Sequence, residues 1–378
     1  MSAVPPTVRV LHVLDSLAPG GLENGVVNVA QRLNGQGFDI HSACLRFRGD
    51  FAERMPEPEK VVVMGKTAGF SFKAVRALRK HILRVQADVI HSHNLGTLIY
   101  AALATLGGRT HPIVHGEHGQ VQKQDLTPKR LAQRRWLFKV CRSVHVVSSS
   151  VRDNLQDLGL DPQKKIVVTP NGVDSQRFSP APDRAAARQE LGFPGNATVI
   201  GIVGRLVALK RHEMLFAAFE KLASQWPSLR LLVVGDGGAE RDHIIGLMKA
   251  HPFADRILWA GHQNDLPKYY RAMDLLAAPS EIEGLSNAVL EAMACGVPVL
   301  AHSACGNAEV IENGLTGYLS DIHDAVTLAA CIEAPLKDAA SLARCGSGAR
   351  ETVLKRYSME AMADCYRKLY RDAAKAKE

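Results

Sequence analysis

Short apolar runs alternate with longer amphipathic stretches along the first half of the chain. Each of five such runs precedes a segment of helical periodicity; they are VRVLHVL (8–14), VVVM (61–64), ADVIHSH (87–93), PIVHGEH (112–118) and SVHVVSS (143–149). Brief apolar runs of this kind are typical of strands that helices cover on both faces. The first half is therefore predicted to form an α/β domain around a parallel sheet.

A second series with the same alternation begins near Thr198. Its apolar runs are VIGIVG (199–204), LRLLVVGDGG (229–238), RILWAGH (256–262), LLAAPS (275–280) and VPVLAH (297–302). We predict an α/β protein with two Rossmann-like, doubly wound domains that face each other across a cleft. Ligands of such sheets bind beyond the carboxyl ends of the strands, where this chain carries glycines, histidines and charges.

The segment between the two series has the composition of a linker. Residues 171–186, NGVDSQRFSPAPDRAA, combine prolines and turn residues without apolar periodicity. We therefore expect an N-terminal domain over residues 1–180 and a C-terminal domain over 181–356. A final helical pattern follows over residues 357–373.

Composition and charge indicate the compartment in which the protein is expected. The chain has 378 residues, 46% of them hydrophobic, and a net charge of +8, which favours anionic partners without naming one. Its seven cysteines are odd in number and widely spaced, which argues against a disulfide framework or a zinc site and indicates a reducing compartment. The sequence shows neither a signal peptide at its N-terminus nor an apolar run of about 20 residues. We expect a cytoplasmic protein that would meet a membrane only at its surface.

The most informative motif places two glutamates eight positions apart. Gly284 and Ser286 after Glu283 indicate a loop that enters a helix at about Asn287, with Glu291 one turn inside it. A helix N-terminus binds phosphate through its free N–H groups, and carboxylates accept hydrogen bonds from sugar hydroxyls. The alternative is a helix cap beside a solvated glutamate.

Two further segments offer contacts for a diphosphate. Arg205 and Lys210 follow a predicted strand that ends at Gly204, and they would supply two cations. Two exposed surface cations are the alternative. Gly20 and Gly21 follow the first strand and would let backbone N–H groups approach an anion, although the segment lacks the G-x-G-x-x-G fingerprint and is also compatible with a plain turn.

Three histidines and one glutamate fall at predicted strand ends. His91, His93, Glu117 and His118 could bind phosphate or sugar oxygens, or a metal ion. The lack of an H-x-x-x-H helix and of a cysteine pair argues against metal. A structural role is favoured for His91, whereas glycines flank His118.

Basic residues cluster between residues 122 and 143, where seven lysines and arginines accompany one aspartate. Interleaved apolar residues make residues 123–142 compatible with an amphipathic helix on anionic lipid, or with the solvated face of a packed helix. No nucleic-acid motif accompanies the charge, so nucleic acid is not an expected partner.

Four of these segments together resemble the retaining glycosyltransferase family 4, which has the two-domain GT-B architecture. They are GGLE (20–23), PNGVD (170–174), GRLVALK (204–210) and the Glu283 to Glu291 motif with its continuation to Ala301. The resemblance spans nearly the whole chain. GGLENGVVN (20–28) with GEHG (116–119) is similar to sugar transferases associated with exosortase and exopolysaccharide gene clusters. Family members often have phenylalanine at the position of Leu285, a change that is conservative in size and polarity.

The resemblance implies a role for each matching residue. Glu291 would bind the donor ribose, Glu283 would hold a hydroxyl of the transferred sugar, and His118 would lie beside that sugar. The remaining residues would contact the diphosphate, the sugar or, for His262, the nucleotide base; they are Gly20, Gly21, Gly204, Arg205, Lys210, His262, Leu285, Ser286 and Asn287. The final helix, residues 357–378, would complete the N-terminal domain.

The implied activity is transfer of a sugar from a nucleotide-diphosphate sugar to a glycan or lipid-linked acceptor in polysaccharide synthesis. UDP is the first expected nucleotide and GDP the second, with retention of configuration and no metal or cofactor. Two alternatives are a nucleotide-sugar epimerase and a non-catalytic nucleotide-sugar sensor or synthase subunit.

Overall fold

In the computed structural model of the protein, residues 6–121, 125–161, 163–303 and 306–375 are described. The chain divides into two compact units. Unit 1 comprises Met1–Gly172 and Met359–Glu378, and unit 2 comprises Val173–Ser358. Because the chain leaves unit 1 and returns to it, unit 1 is discontinuous.

Unit 1 contains a parallel sheet of seven strands in the order β3-β2-β1-β4-β5-β6-β7 over its described residues. The strands are β1 Val8–Leu14, β2 Phe38–Cys44, β3 Val61–Val63, β4 Val89–His93, β5 Ile113–Glu117, β6 Ser143–Val146 and β7 Ile166–Val168. The helices of this unit are α1 Gly21–Leu33, α2 Phe72–Val85, α3 Asn94–Ala104, α4 Pro128–Val140, α5 Ser149–Asp157 and α13 Met359–Ala374.

Helices cover both faces of the unit 1 sheet, which explains why most residues of its central strands are buried, including several histidines. Leu33 of α1 and Tyr370 of α13 pack in one core with Phe38. Leu78 of α2 and Ala101 of α3 pack in another. Burial of apolar side chains on both faces is the main term that stabilises such a sheet.

Unit 2 contains six described parallel strands in the order β10-β9-β8-β11-β12-β13. The strands are β8 Thr198–Val203, β9 Leu229–Val234, β10 Ile257–Gly261, β11 Leu275–Ala278, β12 Val299–His302 and β13 Gly317–Ser320. The helices are α6 Arg184–Glu190, α7 His212–Ala223, α8 Arg241–Ala250, α9 Pro267–Ala272, α10 Asn287–Ala294, α11 Ala325–Leu336 and α12 Ala339–Arg356. The predicted fold class, two α/β units with parallel sheets, is confirmed.

The division between the units lies at Gly172, eight residues before the boundary at 180 that the sequence predicted. The segment that follows packs on unit 2, where the Phe178 ring lies 6.0 Å from that of Tyr270. Arg271 also donates to the Ser179 carbonyl at 2.9 Å. The linker composition of residues 171–186 therefore marks a segment that is bound to unit 2 along part of its length.

Six of the seven cysteines lie in the described ranges and are free thiols, while Cys305 lies outside them. None of the helices in these ranges combines the length and the apolar character that a membrane span needs. The first five residues, which bear on the expectation about a signal peptide, and the last three residues of the predicted C-terminal helix are also outside the described part.

Candidate active site

Lys210 and Glu283, which the sequence selected separately, form an ion pair in unit 2. Gly204 follows β8 directly with a φ of +156°, and a Cβ there would lie 3.1 Å from the Lys210 side chain. A short 3-10 turn at Ala208–Lys210 then brings the lysine back toward the sheet edge. Lys210, Glu283 and Ser286 line one small recess. The structure thus places a cation and a carboxylate together at the carboxyl end of β8.

Arg205 differs from Lys210 in being exposed. Its guanidinium has no hydrogen-bond or ion-pair partner among the residues that the structure describes. An exposed guanidinium beside a strand end can bind an anion bidentately. The two cations of this segment are therefore in different states, one paired with a carboxylate and one open to solvent.

Helix α10 begins at Asn287, where the sequence predicted its start. The preceding Leu285 is buried, and the Ser286 amide donates to Asn307 Oδ1 at 3.2 Å. A phosphate contact at the Ser286 amide, as the resemblance implies, would require Asn307 to release that bond. The amide nitrogen Nδ2 of Asn307 is itself buried without a partner among the described residues.

Glu291 lies in the second turn of α10 and accepts a hydrogen bond from the Tyr270 hydroxyl at 2.8 Å. Burial raises the pKa of Glu291 to about 7, although the bond from Tyr270 acts in the opposite direction. Tyr270 is fully buried in α9. The carboxylate assigned to the donor ribose is therefore held by a residue that no sequence motif indicated.

His262 follows β10 and is exposed, after Gly261 with a φ of +66°. On the neighbouring strand end, Asp236 and Arg241 form an ion pair at 2.6 Å. Trp259 donates from Nε1 to the Gly235 carbonyl at 2.9 Å. The role of His262 near a nucleotide base stays a prediction.

In unit 1, Gly20 caps α1 and Gly21 is its first residue. A Cβ on Gly20 would lie 2.2 Å from Glu23 Oε2, so the glycine leaves the space that this carboxylate occupies. A carboxylate in the first turn complements the positive end of a helix dipole. A diphosphate at Gly20 and Gly21 would have to compete with Glu23, and their assigned role stays a prediction.

His118 follows β5, and its Nε2 lies 3.0 Å from Nδ1 of His93. Burial lowers the pKa of His118 to about 4, so the ring is neutral at pH 7. His91 is fully buried and bonded to Tyr370, in line with the structural role that the sequence favoured. His12, His145 and Tyr370 complete this cluster, and sequence reasoning did not connect them with it.

Glu117 has a structural partner. Its Oε1 accepts from Arg134 Nε at 3.2 Å and lies 3.4 Å from His115 Nε2. Burial alone would raise the pKa of Glu117, but the bonds from His115 and Arg134 outweigh it and hold the pKa below its usual value.

The basic segment 123–142 is partly helical, over Pro128–Val140, and its residues 123 and 124 lie outside the described part. Arg134 is only 5% exposed, so it belongs neither to a lipid-facing surface nor to a solvated face, the two alternatives that the sequence left open for this segment. Its guanidinium forms ion pairs with Glu117 and Asp125 of the same unit. The exposed residues of the helix include four basic residues and one tryptophan, namely Lys129, Arg130, Arg135, Lys139 and Trp136.

Comparison with known families assigns both halves of the chain. Residues 19–177 match the model of "Glycosyltransferase Family 4", and residues 183–352 match that of "Glycosyl transferases group 1". The D-inositol 3-phosphate glycosyltransferase of Thermobispora bispora is 29% identical over 367 residues, covering 87% of this chain and 85% of that protein. The UDP-Gal:alpha-D-GlcNAc-diphosphoundecaprenol alpha-1,3-galactosyltransferase of Escherichia coli is 25% identical over 338 residues, covering 86% and 87%.

Solved structures agree on the fold. HepE of Anabaena, crystallised in complex with UDP and glucose, superposes with a TM-score of 0.84 at 23% identity and covers 96% of this chain and 99% of its own. The two family models together span most of the sequence in the order of its two units. The chain therefore belongs to glycosyltransferase family 4 and has the GT-B fold.

Proposed function

We propose that this glycosyltransferase moves a hexosyl or related sugar from a UDP-sugar to a glycan or lipid-linked acceptor, with retention of configuration and without a metal ion. A GDP-sugar is the second candidate donor. The observation that carries the proposal is the Lys210 and Glu283 ion pair at the carboxyl end of β8, beside the exposed Arg205.

The chemistry of a nucleotide-diphosphate donor fits these groups. Negative charge develops on the diphosphate as it leaves, while the sugar becomes positively charged in character. Preorganised cations stabilise the leaving group without any metal, and Arg205 and Lys210 would supply them. Glu283 is paired with Lys210 in the structure. When the lysine binds the diphosphate instead, Glu283 would accept a hydrogen bond from a hydroxyl of the sugar. No residue of the sequence stands out as the nucleophile that a double displacement would need, which favours transfer on the face of the departing phosphate. The bond from the sugar to the phosphate would break as the bond to the acceptor oxygen forms, and the departing phosphate oxygen would help to take the acceptor proton.

The choice of donor and acceptor draws on the relatives. The Escherichia coli enzyme is named for UDP-Gal and a diphosphoundecaprenol-linked acceptor, and HepE was crystallised with UDP and glucose. Both names support UDP. The lipid-linked acceptor of the first agrees with the exposed cations of α4, which would suit the anionic inner face of the cytoplasmic membrane. A role in polysaccharide synthesis follows from such an acceptor.

The first experiment is a thermal-shift screen of the full chain against UDP, GDP, ADP and their sugar conjugates, with and without EDTA. Stabilisation by one nucleotide class that EDTA leaves unchanged supports the proposal, because a ligand that binds the folded state raises the unfolding temperature. The donor found is then used in transfer assays with lipid-linked sugars, and NMR of the product gives its anomeric configuration.

Several outcomes would overturn parts of the proposal. Activity that EDTA abolishes and Mg²⁺ or Mn²⁺ restores would exclude the metal-free mechanism. Binding of a donor without transfer to any acceptor would identify a sensor or synthase subunit, and interconversion of donor sugars would identify an epimerase. An inverted anomeric centre in the product would contradict retention.

A further inference from the structure

Five histidines and one tyrosine form a continuous chain of polar contacts in the core of unit 1. In spatial order they are His145, His91, Tyr370, His12, His93 and His118. His91 Nε2 lies 2.9 Å from His145 Nε2, and His91 Nδ1 lies 2.8 Å from Tyr370 Oη. Tyr370 Oη lies 3.4 Å from His12 Nε2. His93 then links His12 Nδ1 at 2.9 Å to His118 Nε2 at 3.0 Å.

The sheet register and one glycine create the space for this chain. His93, Gly116 and His145 occupy one row across β4, β5 and β6. A Cβ on Gly116 would lie 2.6 Å from His145 Nε2 and 2.8 Å from His118 Nε2. Only a residue without a side chain lets both rings occupy these positions.

The two ends of the chain differ. His145 Nδ1 is buried and has no hydrogen-bond partner among the described residues. His118 is partly exposed, whereas the other five members are fully or almost fully buried. The chain is therefore closed at His145 and open to the surroundings at His118.

Hydrogen bonds, and not a shared metal ion, account for the spacing. The ligand atoms of His12, His91 and His93 lie within 4.8 Å of one another, a spacing that also suits a metal site. Two histidine ligands of a tetrahedral zinc ion, with Zn–N bonds of about 2.0–2.1 Å, would however have nitrogens about 3.3 Å apart. His12 Nδ1 and His93 Nε2 are 2.9 Å apart, and their ring planes are tilted by only 8°, which is the geometry of an edge-to-edge hydrogen bond.

Counting protons limits the chain to two arrangements. A neutral imidazole carries one N–H, and the tyrosine carries one O–H. Burial lowers the pKa of His12 to about 3 and that of His118 to about 4, so these rings are neutral at pH 7. Each contact needs one proton, so all members must donate in the same direction, either toward His145 or toward His118.

The closed end decides between the two directions. If the chain donates toward His145, an N–H remains at its buried Nδ1 with no acceptor among the described residues. If the hydrogen bonds run toward His118 instead, His145 Nδ1 carries only a lone pair. Unpaired buried N–H groups are rarer in proteins than unpaired acceptors, which favours the second direction.

We propose that this buried chain fixes His118 as a neutral imidazole with its proton on Nδ1, so that His118 is a hydrogen-bond donor to an oxygen of the bound sugar or phosphate. His93, His12, Tyr370, His91 and His145 are then positioning residues, because they set the tautomer of His118 without touching the substrate. The role of His118 toward the substrate rests on the proposed function, but its tautomer does not.

The test is ¹⁵N NMR of the full chain labelled at histidine, because the nitrogen shifts distinguish Nδ1–H, Nε2–H and imidazolium. His118 is assigned by the signal that disappears in His118→Gln. The expected wild-type result at pH 7 is a proton on Nδ1. His93→Leu removes the ring that lies against His118 Nε2 and should leave His118 in a mixture of tautomers. Tyr366→Phe, one turn before Tyr370 on α13, removes a buried hydroxyl that takes no part in the chain and should leave the tautomer unchanged.

Kinetics give a second readout. His93→Leu should lower kcat about tenfold with little change in donor KM, which corresponds to loss of one hydrogen bond of about 1.4 kcal/mol at the reacting sugar. Tyr366→Phe should retain the wild-type kcat. A result in which both variants behave alike would overturn the inference.

The wild-type spectrum alone is also decisive, even where His93→Leu does not fold. A proton on Nε2 of His118, or an imidazolium, contradicts the proposal. Stoichiometric zinc in the purified protein, with shifted His12 and His93 signals on its removal, would replace the hydrogen-bonded chain by a metal site. A wild-type Nδ1 proton that gives way to a tautomer mixture in His93→Leu, in a protein without transferase activity, would support the tautomer and overturn the proposed function instead.

Discussion

The hydroxyl of Tyr270, which is fully buried in unit 2, donates to Oε2 of the partly buried Glu291 at 2.8 Å. This bond holds the carboxylate that family resemblance assigns to the donor ribose. Burial raises the pKa of Glu291 to about 7, so a large fraction of this side chain is protonated at neutral pH. A protonated carboxyl can accept fewer hydrogen bonds from a diol than a carboxylate can.

Donor binding should therefore strengthen as the pH rises through about 7. Tyr270 stabilises the charged form of Glu291, so Tyr270→Phe should move the midpoint of this dependence to higher pH. Calorimetric titration of the donor nucleotide between pH 5.5 and 8.5 measures both midpoints. Tyr269→Phe, which changes the adjacent buried tyrosine, is the control and should leave the midpoint in place. If the midpoint of the pH dependence is unchanged or lower in Tyr270→Phe, the assignment of Glu291 to the donor would be contradicted.

Lys210→Ala should lower kcat more than it raises donor KM. The lysine would stabilise charge that develops on the diphosphate during transfer, and one charge-assisted contact contributes about 1.5–3 kcal/mol. Steady-state kinetics at saturating acceptor separate the two parameters. Lys221→Ala removes an exposed lysine elsewhere in unit 2 and should retain wild-type kinetics.

Because Lys210 is paired with Glu283, the effect of Lys210→Ala alone includes the effect of an unpaired glutamate. Removing Lys210 leaves Glu283 without its partner, so Glu283→Gln and the double variant complete a mutant cycle. The effects on kcat should be less than additive. Strictly additive effects would indicate that the two side chains act independently.

The sequence predicted ten of the thirteen described strands because each of the ten lies in a short, mostly apolar run, whereas β2, β7 and β13 were not predicted. β2 was not predicted because its sequence, FDIHSAC, has no continuous apolar run. Its buried residues Phe38 and Ile40 alternate with the less buried Asp39 and His41. The three-residue β7 is too short to carry a pattern. Both strands are defined by pairing with neighbours, which is information that local composition does not contain.

Sequence motifs selected residues that lie together in the structure, but they did not indicate the residues that reach the site from distant segments. Lys210 and Glu283 each belong to a recognisable segment, and the structure brings them together. Tyr270 contacts Glu291 from another helix, and Asn307 contacts the Ser286 amide from a short 3-10 helix 21 residues later. Such contacts depend on tertiary packing, so neither residue carries a local signal.

Acid should destabilise the protein below pH 6.5. Burial lowers the pKa of His12 to about 3 and that of His212 to about 4, and it lowers those of His91, His93 and His145 well below the usual value. In the unfolded chain these rings take up protons near pH 6.5, so the unfolded state binds more protons below that pH and stability falls. Each such histidine contributes a loss of about 1.4 kcal/mol per pH unit between 6.5 and its folded pKa. The raised pKa of Glu291 acts in the opposite direction, but it is one group against several.

Calorimetric unfolding at several pH values between 5 and 8 measures this loss. His212→Leu removes a buried titrating ring that lies outside the proposed site and has no partner for either nitrogen among the described residues. This variant should lose less stability on acidification than the wild type. His243→Leu, which changes an exposed histidine, should follow the wild-type curve. A pH-independent unfolding temperature would show that the cluster is not buried in the neutral form.

Arg134→Ala should destabilise unit 1 strongly. The substitution leaves Glu117 buried without its guanidinium partner, and breaking a buried ion pair on one side costs about 3–5 kcal/mol. Arg135→Ala, the neighbouring exposed position, should cost far less. Chemical denaturation of both variants at pH 7.5 distinguishes them, and equal losses would contradict the internal role of Arg134.

Membrane binding, if the exposed face of α4 provides it, should depend on Lys129 and Lys139 rather than on Arg134. Both lysines are exposed, and Trp136 between them is 58% exposed, a combination that suits an anionic lipid surface. Lys129→Glu with Lys139→Glu should reduce binding to vesicles of anionic lipid, and raised salt should weaken wild-type binding as well. The control is Lys221→Glu with Lys249→Glu, which changes the net charge equally at exposed positions of unit 2. An equal loss of vesicle binding in both double variants would mean that overall charge governs the association. Unchanged binding in both would mean that α4 is an ordinary solvated helix.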